Sequence, residues 1–208
     1  MKKYYYAILS LLFFVNLSFA DGNYEQQMGN AMQLWSENKT AEALAIFERV
    51  ASIEKKEWIP DYYVSLICAI DILKKTNENQ SQLLLKKAKS ALKSAMYKSP
   101  DNAELYSLKA FILTAEITMD PMVNGQRLSA QVIENYQKAL QIDADNPRAL
   151  YLLSAFQINM AQMFGGETSK YYAQLEKAVE KFNTFKKPAS FYPNWGKERA
   201  EELLKSKK

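Results

Sequence analysis

Residues 136–153, YQKALQIDADNPRALYLL, decide how this chain is read, because they hold the end of one helix, a tight polar turn and the start of the next. Tyr136, Ala139 and Leu140 give an apolar edge at helical spacing, a large ring followed by a small residue three positions on. Asp145 and Asn146 then break the pattern. Asn146 is a good N-cap, since its side-chain oxygen can accept from the open N–H groups of a first turn. Pro147 suits the first helical position, where its missing N–H would have no partner in any case.

Working outward, the same pattern recurs. Tyr24 to Glu37 carries Met28, Ala31, Leu34 and Trp35 on one face; after Asn38-Lys39-Thr40, with Thr40 the expected cap, Ala43, Leu44, Phe47 and Val50 resume it. A second pair opens at Trp58-Ile59-Pro60-Asp61 and runs through Tyr62, Tyr63, Leu66, Ile67 and Ile70 with little polar surface, which predicts a deeply placed helix. Its partner, Gln82 to Tyr97, bears Ala88, Leu92 and Ala95 on one side and Lys86, Lys87, Lys89 and Lys93 on the others, read as a solvated outer face. The third pair starts after Ser99-Pro100-Asp101-Asn102 and ends near Met119. Asp120 to Gly125 reads as an inserted loop, because Pro121 and Gly125 are helix breakers, so the next helix is expected from about Arg127. The fourth pair bends at Phe164-Gly165-Gly166 and carries Leu175, Ala178 and Phe182 in its second helix. The glycine pair lacks the Lys-Ser/Thr continuation and the preceding strand of a phosphate loop, so it reads as a helix stop. Phe185 to Pro193 is extended and rich in Pro and aromatics, and Asn194 is the expected cap of a last helix, Trp195 to Lys205.

A bulky residue, a small residue three on and a Pro-Asx turn after it resemble the junction between two tetratricopeptide (TPR) repeats. The resemblance implies an all-α, TPR-like α–α superhelix of about four helical hairpins, residues 24–54, 58–98, 102–143 and 147–184, with a capping helix at 195–205. Equivalent positions are widely spaced: Phe47 to Leu92 is 45 residues, Leu92 to Tyr136 is 44 and Tyr136 to Leu175 is 39. These exceed the TPR period of roughly 34 and approach HEAT-like pairs of about 40–47. The small-large-small order and the turn positions favour TPR. Trp58-Ile59-Pro60, Asp120-Pro121-Met122 with Gly125, Met163-Phe164-Gly165-Gly166 and Pro193-Asn194-Trp195-Gly196 together resemble exported TPR proteins of Bacteroidetes-type bacteria.

The first twenty residues fit that compartment. Lys2 and Lys3, an apolar run from Tyr4 to Val15 and the ending Ser18-Phe19-Ala20 are the three parts of a secretory signal peptide, too short to span a bilayer. Cleavage is expected after Ala20. No cysteine follows the apolar core, which disfavours a lipoprotein, and no stable membrane anchor is expected after cleavage. The remaining 188 residues suffice for one helical-repeat domain; with 25 basic and 23 acidic side chains they give no reason to expect nucleic acid. The destination is periplasmic or secreted. Cys68, the only cysteine, cannot form an internal disulfide and is expected in the core.

The inventory for catalysis is poor. Histidine is absent, and no thiol has a partner base, so the chain is expected not to be an enzyme and to need no metal or cofactor. Glu116 and Asp120 are one helical turn apart but read as a solvated face, and Asp143 and Asp145 as a helix-ending turn rather than a calcium site. Stacked hairpins instead offer a curved surface for a peptide or partner protein. Projecting the TPR motif places Met32, Tyr63, Phe111, Arg148 and Tyr151 near its concave side, with core positions as the alternative for each. The alternative function is a small hydrophobic ligand held between long helices, since the Met163-Phe164-Gly165-Gly166-Glu167 bend resembles TPR proteins associated with periplasmic transporters. A structural part of an envelope assembly is a third reading.

Overall fold

Asn102, Asp120 and Asn146 each cap the start of a helix, two of them followed directly by Pro. The computed structural model describes residues 23–75 and 78–207, so the expected leader lies outside the described residues. Asn102 caps α5 (Ala103–Met119) by accepting from Glu104 N at 2.9 Å, and Asn146 caps α7 (Pro147–Met163) by accepting from Ala149 N at 2.9 Å. The remaining elements are α1 (residues 23–36), α2 (Thr40–Ile53), α3 (Ile59–Leu73), α4 (Ser81–Lys98), α6 (Pro121–Ile142), α8 (Ser169–Thr184) and α9 (Lys197–Lys205), with a 3-10 turn at Glu78–Gln80. No strand occurs among the described residues. The fold is all-α, in consecutive hairpins.

The chain forms two compact units that divide after Lys55. In the first, α1 and α2 bury Met28, Ala31, Ala43, Phe47 and Val50. Gln27, where a TPR helix usually has a ring, accepts a 2.6 Å hydrogen bond from Arg49 Nη2 instead.

In the second unit the hairpins α3/α4, α5/α6 and α7/α8 pack most closely, and α3 lies on α5, α5 on α7 and α8 on α9. Ala88 and Ala95 of α4, Ala110 and Ala115 of α5, Ala139 of α6, Ala149 of α7, Ala178 of α8 and Ala200 of α9 are all fully buried. Small side chains at these crossings let helices approach, and larger ones beside them fill the grooves. Leu128, Val132 and Tyr136 of α6 meet Leu152, Leu153 and Phe156 of α7, while Tyr172, Leu175 and Phe182 of α8 meet Ile158 and Ala200. The stretch at 136–153 is one such junction, with Ala139 packed on Ala103 and Ala149. As its apolar composition requires, α3 is buried almost throughout, Cys68 included.

Four local expectations are corrected. Asp120–Gly125 is not a loop: Asp120 caps α6, accepting from Val123 N at 3.2 Å, Pro121 opens it, and Gly125 lies inside it. Pro is compatible with a first turn, so the residue that ends α5 also starts α6. Lys39, not Thr40, stands at the N-cap of α2, and Thr40 is already helical. The last helix starts at Lys197 because Gly196, at φ +108°, turns the chain into it. Glu116 does not belong to a solvated face; it is 7% exposed and accepts from Lys89 at 2.6 Å and Arg127 at 2.9 Å.

Candidate functional site

The first turns of α5 and α7 bring together residues distant in the chain. Glu104 sits one residue beyond the α5 start, Arg148 one beyond the α7 start, and Asn146 is the α7 cap. Arg148 donates from Nε to Glu104 Oε2 at 2.7 Å and from Nη2 to Glu104 Oε1 at 2.6 Å; Asn146 Nδ2 donates to the same Oε1 at 2.7 Å. Burial acts to lower the Arg148 pKa, but the hydrogen bonds and charge of Glu104 outweigh it and raise it above its ordinary value. The third guanidinium nitrogen, Nη1, is buried with no hydrogen-bond partner. The guanidinium carbon instead lies 4.6 Å from the centre of the Phe185 ring, a cation–π arrangement.

Phe185 begins an irregular segment, residues 185–196, laid across α3, α5 and α7. The Tyr63 hydroxyl donates to the Phe191 carbonyl at 2.9 Å, and Trp195 Nε1 donates to the Tyr62 hydroxyl at 2.8 Å. Tyr192 meets Trp58 edge-on at 5.6 Å between ring centres, and Trp195 tilts against Phe111 at 5.8 Å. Gly196 closes the segment against Phe182, Arg148 and Tyr151. Burial pushes the phenols of Tyr62, Tyr63 and Tyr192 well above their ordinary range, so they stay neutral, and those of Tyr62 and Tyr63 act as hydrogen-bonding groups.

Four of the five residues projected onto the binding face therefore come together: Tyr63 and Arg148 fully buried, Phe111 and Tyr151 partly so, all beneath residues 185–196 or touching them. Met32 lies on α1 in the first unit and is half-buried. Glu104, Tyr62 and Trp195 complete the cluster and were not singled out. A sequence signal exists for Glu104: Asp61, Glu104 and Arg148 occupy similar early positions in α3, α5 and α7, 43 and 44 residues apart.

A different face is open. Between α4 and α5 a cleft of about 300 Å³ is floored by Leu92, Met96, Ile112 and Leu113 and rimmed by Lys89, Lys93 and Lys109. Lys89 is held at 2.6 Å by Glu116, which also accepts from Arg127. Burial raises the Glu116 pKa, but these two cations together keep it below the ordinary carboxylate value. Two other hollows are mainly polar: one of about 360 Å³ near Ile72, Ser81 and Asn124, and one of about 410 Å³ between α5 and α6 near Gln131, Glu134 and Lys138. No cluster of metal-ligating side chains occurs among the described residues.

No protein-family model and no curated protein matches the chain significantly. Solved structures do. The HusA haemophore from Porphyromonas gingivalis is similar at a TM-score of 0.76 and 25% identity, over 86% of this chain and 90% of that one. TTC0263, a thermophilic TPR protein of Thermus thermophilus, is similar at a TM-score of 0.59 and 16% identity, over 88% of this chain and 89% of that one. The chain thus has the TPR-like superhelical repeat fold, shared with a protein of a Bacteroidetes-type bacterium.

Proposed function

We propose that this chain is a non-enzymatic binding protein of the bacterial envelope whose cargo is a flat, largely apolar, anionic molecule of the tetrapyrrole class. The observation that carries this reading is the likeness to a haemophore, a carrier of haem, along nearly the whole of both chains. A complete absence of histidine means that the cargo would be held by apolar surface and cations rather than by imidazole ligation. Tyr63 and Arg148 are buried against residues 185–196 of the same chain, so a peptide would reach only the partly exposed Phe111 and Tyr151 of that group. Among the described residues no helix is long and apolar enough to cross a membrane. The leader-like sequence of the first twenty residues supports a periplasmic or secreted carrier. The test is absorbance titration of the purified protein with protoporphyrin IX: a saturable, stoichiometric shift supports the reading, and spectra identical to those with an unrelated helical protein reject it.

A second reading is docking to a partner protein. Met122 and Val123 at the α5/α6 turn and Met163 and Phe164 at the α7/α8 turn are more than half exposed, two apolar tips that a partner could cover. Pull-down from the native envelope with Met122→Lys/Phe164→Lys as the comparison tests it; a partner retained by the double variant argues against these turns.

A further inference from the structure

The α4/α5 cleft differs from its neighbours in combining an apolar floor with uncompensated positive charge. Leu92, Ile112 and Leu113 are nearly sealed from solvent by their own packing, and Met96, a flexible and polarizable side chain, forms the more accessible part of the floor. Of the three rim lysines, Lys89 is committed to Glu116. Lys93 and Lys109 form no ion pair among the described residues. Lys93 also lies one helical turn from Lys89, so two like charges stand at a spacing that disfavours the helix. An anion placed there relieves that repulsion. The adjoining hollow between α5 and α6 lacks this bias, because Glu134 stands there with Lys138 and its lining is mainly polar.

We infer that the cleft between α4 and α5 is the cargo site, with the apolar face of a tetrapyrrole over Met96 and the exposed edges of Leu92 and Leu113 and its carboxylates on Lys93 and Lys109. The inference rests on the proposed function and adds the place and the chemistry of recognition. Lys89 is already occupied by Glu116, which leaves Lys93 and Lys109 for the anionic edge. Because the cleft is open, it covers part of the ring system and leaves the rest accessible for transfer.

The experiment is a titration of the full-length protein with protoporphyrin IX and with its dimethyl ester, which keeps the ring and removes both charges. Wild type, Lys93→Glu/Lys109→Glu, Met96→Glu and, as a control remote in sequence, Lys170→Glu are compared, with circular dichroism confirming the fold. The double lysine variant and Met96→Glu are each expected to weaken protoporphyrin binding at least tenfold, and Lys170→Glu to change it less than twofold. For the ester, wild type and the double lysine variant should bind equally, both more weakly than wild type binds the diacid. Tight binding of the diacid by wild type and by both cleft variants alike overturns the cleft assignment while leaving the carrier reading intact. Failure of wild type to bind either porphyrin overturns both.

Discussion

Arg148 and Glu104 meet through two parallel hydrogen bonds of 2.6 and 2.7 Å, with the two side chains 1% and 0% exposed. A fork-to-fork pair this dry ties the start of α7 to the start of α5 and fixes their register. Removing one partner leaves a bare charge in the interior. Arg148→Met or Glu104→Leu is expected to cost about 3–5 kcal/mol. The double variant Glu104→Leu/Arg148→Met should cost less than either single change, because no uncompensated charge remains. Urea unfolding of the four proteins checks this; additive losses would show that the pair is not coupled.

Gly196 and Gly125 make a contrasting pair. At Gly196 the backbone is left-handed, φ +108°, and an added Cβ would stand 3.1 Å from Phe182 Cζ. Gly196→Ala should therefore destabilise by about 1–3 kcal/mol and loosen residues 185–196. Gly125 lies inside α6 with nothing within 4 Å of an added Cβ. Gly125→Ala should stabilise by about 0.4–1 kcal/mol. Thermal unfolding midpoints moving in opposite directions are the expected result.

The buried phenols set the alkaline limit. Tyr62, Tyr63, Tyr136, Tyr151 and Tyr192 have their pKa values raised by burial, so the folded chain keeps protons that the unfolded chain releases near pH 10. Their contribution is complete below that value and falls as pH rises through the folded values. Urea midpoints should be level in mildly alkaline buffer and drop above about pH 10. Phenolate absorbance should lag behind that of free tyrosine until the chain unfolds. A midpoint unchanged at about pH 11 would contradict this.

Much of the fold was legible because local chemistry and packing agree. Asn146-Pro147 announces a helix start, Phe164-Gly165-Gly166 a stop, with Gly165 at φ +68°, and the buried alanines mark the crossings. Asp120-Pro121 misled because the residues that break one helix are also good starters for another, and here no intervening loop separates the two roles. Motif projection expects Tyr63, Phe111, Arg148 and Tyr151 near a concave side, and the structure gathers them around residues 185–196. That gathering was not legible, since residues 185–196 have no periodicity and their place depends on Tyr62, Tyr63 and Arg148, far away in sequence. Glu116 was misassigned for a similar reason: its partners Lys89 and Arg127 come from two other helices. The open cleft combines lysines of α4 that read as ordinary solvated charge with a floor shared by α5.

The most direct measurement is a methyl NMR titration of the protein, labelled at its methionines, with protoporphyrin IX. Met96 floors the α4/α5 cleft, Met160 packs against the core cluster shared by α5, α6 and α7, and Met32 lies on α1. Saturable shifts concentrated at Met96, with Met160 and Met32 unmoved, are the predicted result. Shifts at Met160 or Met32 with Met96 silent would place the cargo elsewhere, and no shift at any methionine would contradict a porphyrin carrier.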